Sequence, residues 1–483
     1  MADDRELDRM LEEELTAVPP PGDQLTEITP WRRAIVKIAC GVALTTITLN
    51  IGYLPLILSA AGLLLLLLLQ GSWMLCRESR WFVALYALTL VRMVLFWAVL
   101  AGEATVFWAE GGIPLEPVYA MLLALPLAQD LCLWWGVRAV RRVAGQPAGA
   151  RAAGALVWCR LLLYALGLLG LEGWLAVGPV LILYGVALYN LFRLRTLLDG
   201  AGYAFKMAPA RLPQWAAWTL WAVLLLGGIL LAGRLWGSYH MDWTVRGEAE
   251  QAGLEEIRSN LLDLGMPLYV LDDLTAQDLA ALERAVRVEV EADVSYFLRE
   301  RFQSDGLLMT NVAVELPGME WRTICHFLWK TGPRKLDGTE CLKIWPSYLS
   351  LREAYRSVGE PSGRVLYDRD GVTYSALYHF LGEIGYTADT ALFGSTSQRF
   401  LFAAFSLPED GEARRGYVTY GFQVLDDGWI MSEEISYTHQ ARGTGYPLTT
   451  ALLHELSGGG GGKGFAGAVS GLQFYPYWEP DVE

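Results

Sequence analysis

The 483-residue chain is poor in charge, poor in histidine and cysteine, and has no basic excess. Charged residues make up 19%, with 38 Lys+Arg against 52 Asp+Glu, and there are 5 His and 6 Cys. The missing positive charge excludes an electrostatic nucleic-acid binder, the sparse cysteine excludes a disulfide-built secreted scaffold, and a hydrophobic share of 53% excludes a disordered tail protein. Some thirty polar residues precede the first apolar run, so that run is expected to be a retained anchor and not a cleaved secretion signal.

What the chain has is long apolar runs, all in its first half. Residues 1–237 hold 16 acidic and 18 basic residues, and residues 238–483 hold 36 and 20, so a near-neutral part of net +2 precedes an acidic part of net −16. A spanning helix needs about 20 mostly apolar residues to cross ~30 Å of hydrocarbon. Seven stretches approach or meet this, at 34–50, 54–70, 81–101, 118–137, 152–171, 179–192 and 215–235, the sixth beginning nearer Trp174. Six to eight spans bracket the count.

Basic residues near span ends stay in the cytoplasm. Here they fall in the tail (Arg5, Arg9, Arg32, Arg33) and in the second (Arg77, Arg80), fourth (Arg138, Arg141, Arg142, Arg151) and sixth (Arg193, Arg195, Lys206, Arg211) connections. The odd connections have none, and Arg234 alone sits on the opposite side. This alternation predicts a cytoplasmic N-terminus and, after seven spans, an extracytoplasmic C-terminal part. Trp31, Trp73, Trp81, Trp108, Trp174, Trp215 and Trp236 lie near the predicted interfaces, where an amphipathic ring is favoured.

Three ionisable residues fall deep inside spans: Arg92, Asp130 and Arg160. Counted from the cytoplasmic ends, their depths are about 16, 12 and 13 Å, one level on three consecutive spans. One reading is a structural ion pair that locks the bundle. The other is an anion-binding cluster, since two guanidiniums sharing one carboxylate leave donors for a phosphate or carboxylate ligand. Glu103 and Glu172 fall near outer span ends.

From Thr244 the pattern becomes that of a soluble α+β domain. Helices are expected at 247–262 and 275–288, the second capped by Thr275 with Asp278 three residues on. Strands are expected at 307–316, 320–329, 364–367, 372–380, 399–407, 417–425 and 429–437, with Asp-Gly turn signals at 368–371, 408–412 and 426–428. Such spacing predicts an antiparallel β-sandwich or jelly roll. The expected parts are an acidic tail at 1–30 with a short amphipathic helix on Leu7, Met10, Leu11 and Leu15, the bundle at 31–237, a helical subdomain at 238–292 and the β-rich domain at 293–483.

Motifs of chemistry are weak in this half. The Asp368-Arg-Asp370-Gly371 run fails as a calcium loop, because Thr373 stands where glycine is required. Gly458 to Gly462 before Lys463 lacks the first Gly and the Ser/Thr of a phosphate loop, and His454-Glu455 lacks a second zinc-ligand His. The five histidines (His240, His326, His379, His439, His454) show no metal-ligand spacing, so no metal or cofactor is expected. Cys325 and Cys341 face outward in this topology; a bond between them would close a 17-residue loop and contribute ~3 kcal/mol, and both oxidation states stay open. The run from Phe474 to Trp478 reads as a core strand in preference to a sugar-stacking platform. The −16 charge disfavours anionic lipid head groups and wall polymers as partners.

Three segments, Leu264-Gly-Met-Pro-Leu-Tyr-Val-Leu-Asp-Asp-Leu-Thr-Ala-Gln-Asp-Leu-Ala280, Val365-Leu-Tyr-Asp-Arg-Asp-Gly-Val-Thr-Tyr374 and Arg415-Gly-Tyr-Val-Thr-Tyr420, carry a resemblance to a family. The chain resembles an uncharacterised group of bacterial multi-pass membrane proteins with a C-terminal extracytoplasmic domain. The resemblance implies an acidic tail, a helical bundle and an exported domain, and transfers no activity or site residues. The expected function is a membrane protein, not an enzyme, that displays a ligand-binding or sensory β-domain to an envelope ligand or glycan, with a cytosolic partner for its tail and no nucleic acid. The alternative is a transporter or lipid-handling protein working through Arg92, Asp130 and Arg160.

Overall fold

The structure, a computed structural model, describes residues 30–46, 56–110, 115–147, 149–169, 174–199, 213–247, 250–291, 306–330, 338–390, 394–426, 429–440, 449–457 and 464–476. The tail with its predicted amphipathic helix and the glycine run at 458–462 lie outside them. Among the described residues eight helices come first: α1 (Pro30–Thr46), α2 (Leu56–Met74), α3 (Arg80–Glu103), α4 (Phe107–Glu110), α5 (Leu115–Val143), α6 (Arg151–Leu168), α7 (Trp174–Asp199) and α8 (Gln214–Trp236). Five described helical stretches, Arg80–Gly102, Ala120–Val143, Arg151–Leu168, Val177–Leu194 and Trp215–Trp236, are long and apolar enough to cross a membrane. Their outward residues, such as Val94, Leu123, Ile182 and Val223, are exposed aliphatics, as lipid contact requires.

The chain divides into two compact units, residues 1–99 with 114–225, and 100–113 with 226–483. In the first, one apolar cluster joins α1, α2, α3, α5, α6 and α7 through Ile38, Leu68, Phe82, Leu133, Leu156 and Leu191. Gly136 of α5 lies against the Phe82 ring, a close approach that a small residue permits.

The second unit continues with β1 (Thr244–Val245), α9 (Glu255–Asp263), α10 (Leu268–Asp273), α11 (Ala276–Ala280), β2 (Arg287–Glu291), β3 (Leu307–Leu316), β4 (Glu320–Trp329), β5 (Glu340–Trp345), α12 (Ser347–Ser350), β6 (Tyr355–Arg369), β7 (Val372–Ala376), β8 (Phe380–Thr390), β9 (Gly394–Phe405), β10 (Glu412–Val424), β11 (Met431–Gln440), α13 (Ala451–Leu456) and β12 (Phe465–Phe474). Two sheets form, in the orders β1-β7-β6-β10-β4-β3-β2 and β12-β11-β5-β9-β8. Every pairing is antiparallel.

Alternation along the strands explains the layering. On β4, Trp321, Cys325 and Phe327 enter a core shared with Phe405, Ile435, Tyr437 and Leu472 of the other sheet, whereas Ile324 joins a second cluster with Leu261, Val270, Leu271 and Leu279. Rings meet across the sheets at Phe327–Phe405, 5.3 Å, and Trp321–Phe474, 4.7 Å. The helical stretch α9–α11 therefore roofs the outer face of the seven-stranded sheet. Val106, beyond α3, donates its N–H to the Trp236 carbonyl at 2.9 Å and joins the same core, so this unit also recruits residues from inside the expected bundle range.

Strands β3 and β4 start and end where expected. The first expected helix is shortened to α9, and the second ends at Ala280, after which the chain enters β2. Of the three turn signals, Asp370-Gly371 makes the β6–β7 hairpin with both residues at positive φ (52° and 75°). The segments after β9 and after β10 instead carry the chain from one sheet to the other. Gly363, at φ 155°, pairs with Val418, and a Cβ there would strike the Tyr417 carbonyl. Gly363→Ala is expected to cost about 2 kcal/mol and lower the β-domain's thermal midpoint by roughly 5 °C, read by circular dichroism of the full chain.

Candidate functional site

Asp130 of α5 is 2% exposed and is bonded by Arg160 of α6. Arg92 of α3 does not join them as a third hydrogen-bonded partner. Its Nη1 donates to Gln129 Oε1 at 2.8 Å, and its Nη2 approaches the Thr45 carbonyl in the last turn of α1 at 3.4 Å. The cause is helical geometry: neighbours on a helix point about 100° apart, so Gln129 meets α3 while Asp130 meets α6. Gln129 also donates through Nε2 to Thr89 Oγ1 at 2.9 Å, and Thr89 donates to the Leu85 carbonyl at 2.7 Å. Gln129 and Thr89 escaped the sequence reading. Their signal was present, since amides and hydroxyls in apolar helices seek partners inside the bundle. Lys37 of α1 was likewise missed; its Nζ donates to Gln70 Oε1 at 2.9 Å.

The β-rich unit has a denser polar network between α10, α11 and the sheet beneath. Asp273 lies 2.8 Å from His326 Nε2 and accepts from Arg415 Nε at 2.8 Å. Arg415 Nη1 reaches Asp368 at 3.0 Å. Arg364 donates to the Asp273 and Leu274 carbonyls, both at 3.0 Å, and to Glu250 at 2.7 Å. Asp278 accepts from Tyr417 at 2.5 Å, Ser362 at 2.7 Å and its cap partner Thr275 at 2.7 Å. Burial pushes the Asp273 carboxyl up, but His326 and Arg415 more than offset it and hold it below the ordinary value. Three of these anchors, Asp273, Asp278 and Thr275, belong to the short segment 273–278. The network is a clamp in which each charged group is paired, while the buried His326 Nδ1 has no partner among the described residues.

Between the sheets, Glu433 is 3% exposed on β11, with Thr323 Oγ1 at 3.5 Å and its Oε2 without a partner among the described residues. Burial pushes its carboxyl up to about 8, against smaller opposing effects of the Tyr420 and Thr323 hydroxyls.

Of the two oxidation states left open for Cys325 and Cys341, the structure has the reduced one. Cys325 and Cys341 are free and buried, Cys325 in the core between the sheets and Cys341 against Phe400, Phe402 and Ala451 on the other side of the five-stranded sheet. They occupy different layers. The histidines are dispersed: His326 on Asp273, His439 Nδ1 2.6 Å from Glu340 Oε1, His454 stacked on Phe465 at 4.1 Å, His379 stacked on Tyr239 at 4.5 Å, and His240 exposed near Asp242. Among the described residues no group of three or more His, Cys, Asp or Glu could hold a metal ion. Phe474 is buried against Trp321, and residues 477–483 lie outside the described residues.

No family model matches the chain, and no curated protein matches it. Among solved structures it is similar to a pore forming protein, at 7% identity and a TM-score of 0.17 over 32% of this chain and 78% of that one. It is also similar to the collagen binding domain of the Erysipelothrix rhusiopathiae surface protein RspB, at 9% identity and a TM-score of 0.16 over 32% of this chain and about half, 51%, of that one. Likeness at this level bears on neither fold nor function.

Asp130→Asn and Arg160→Gln are each expected to destabilise the bundle by about 3–5 kcal/mol, because each strands a buried partner. The double variant should cost less than their sum by at least ~1 kcal/mol in a cycle measured on purified protein; strict additivity would mean the pair does not interact. For Glu433, the unfolded chain loses its proton near pH ~4.3 and the folded chain near 8. The stabilisation is complete below the first value and is lost as pH rises through the second, at about 1.4 kcal/mol per pH unit. Glu433→Gln should flatten this decline in denaturation midpoints taken at about pH 5 and 8.

Proposed function

We propose that the chain is a seven-span integral membrane protein with a cytoplasmic N-terminus, and that its C-terminal unit is an extracytoplasmic β-sandwich that binds a neutral envelope glycan. The observation that carries the ligand reading is an exposed indole at one end of the two sheets. Trp429, 48% exposed, stands just before β11 with its Nε1 on Asp426 Oδ2 at 3.3 Å. Met319 in the β3–β4 turn, Leu425 and Ile430 are exposed beside the same strand ends, where Val424 N–H meets the Met319 carbonyl at 2.9 Å. A fixed, solvent-facing ring with a carboxylate at its edge offers stacking to a sugar face and an acceptor to its hydroxyls. The acidic balance of residues 238–483 disfavours an anionic polymer in that place. The topology is supported by the alternation of fourteen basic residues across the connections and by five helices of spanning length.

Two measurements test the reading. A cysteine replacing exposed Glu360 on β6 should react with a membrane-impermeant maleimide in intact cells, and one replacing Arg142 at the end of α5 only after lysis; the reverse pattern would refute the orientation. Full-length protein in nanodiscs should be retained by an uncharged cell-wall glycan in preference to an anionic wall polymer. Trp429→Ala should weaken that retention about tenfold, the ~1.4 kcal/mol expected of a stacked ring, and retention unchanged by the substitution would refute the glycan platform.

A further inference from the structure

Among the described residues, the helices that carry Arg92, Asp130 and Arg160 hold more positive than negative charge in their central parts. Among the described residues, Asp130 is the single acid in the central part of any bundle helix; Glu103, Glu110, Glu116 and Asp199 stand at helix ends. Arg160 takes the Asp130 carboxylate. Arg92, at the middle of α3, is left with an amide oxygen and a main-chain carbonyl, both neutral. A guanidinium has five N–H donors. Two are engaged by these acceptors, and the remaining three have none among the described residues.

The group is also held in place. Thr89 spends its hydroxyl proton on the Leu85 carbonyl, so its oxygen must accept from the Gln129 amide, which turns the Gln129 oxygen toward Arg92. This directed chain, Arg92 to Gln129 to Thr89 to Leu85, holds Nη1 while the Thr45 carbonyl holds Nη2, so the donors left over are Nε–H and one N–H on each Nη. An arginine at a spanning helix's centre costs ~2.5–3.5 kcal/mol on insertion scales, and neutral acceptors solvate the charge without cancelling it. The Arg160–Asp130 pair lies within electrostatic reach of Arg92, its two charges acting on Arg92 in opposite senses.

We propose that Arg92 is the contact residue of an oxyanion site inside the bundle. A phosphate or carboxylate group lies against its unused N–H edge in the two-pronged geometry that arginine favours, and the Asp130–Arg160 pair forms a fixed wall beside it. The site is independent of the glycan platform on the other unit. Its anion comes either from solution or from a lipid head group, and these sources are separable.

Full-length protein in phosphatidylcholine nanodiscs is titrated with inorganic phosphate against chloride at matched ionic strength. In a second arm, phosphate-free, phosphatidylglycerol replaces part of the lipid. The thermal midpoint of the bundle should rise by several degrees in one arm, which names the source, and the rise should vanish in Arg92→Gln. Arg92→Lys keeps the charge and loses the fork, and should need at least ~10-fold more anion for the same shift. No rise in either arm, or a rise of equal size in Arg92→Gln, overturns the site. Should Arg92→Gln fail to insert, Arg92→Lys decides, because an unchanged titration in that variant overturns the two-pronged contact.

Discussion

The second unit depends on one carboxylate. Asp273 receives His326 and Arg415 from two adjacent strands, while its own carbonyl receives Arg364 from a third. These contacts pin α10 over β4, β10 and β6 together, and they carry α9 and α11 with them. The apolar roof of Leu261, Val270, Leu271 and Leu279 is laid on the sheet at this point. An apolar roof alone has little directional preference. The charged clamp supplies position at a desolvation cost that the pairing of its charged groups offsets.

The same rule governs the first unit with fewer polar groups available. Lys37 ends on Gln70, Arg92 on Gln129 and Arg160 on Asp130. In two of three cases the acceptor is a neutral amide, which orients a cation without neutralising it. The bundle is thereby held by hydrogen bonds of low directional ambiguity while keeping residual positive charge in its interior.

Much of this was legible in the residues. The alternation of Val312, Val314, Trp321 and Phe327 marked β3 and β4 at their true ends, and Thr275 with Asp278 marked a helix start that the structure repeats as a cap bond of 3.0 Å. Other elements were hidden by local composition. Strand β6 runs through Gly359, Pro361 and Gly363, residues that punctuate strands elsewhere, and holds because β10 pairs along most of its length, with two irregularities, at Glu412–Arg415 and Thr419–Gly421. Strand β5, with Glu340 and Lys343, looks polar until each finds its partner in His439 and Glu455. The charged level at Arg92, Asp130 and Arg160 was visible from spacing alone. Which cation takes the carboxylate depends on the rotation of α5 between its neighbours, which one-dimensional depth does not encode.

The order of strands has a consequence in time. The chain alternates between the sheets, and β10, which sits between β6 and β4, arrives late. Strand β4 ends at Trp329 and β10 at Val424, a delay on the order of 5–20 s at ~5–20 residues per second of synthesis. Throughout that interval β4 presents an unpaired edge with Trp321, Phe327 and Trp329 uncovered, the condition under which nascent strands aggregate. Shielding this growing edge until the late strand closes it is thus a kinetic demand separate from the stability of the finished fold.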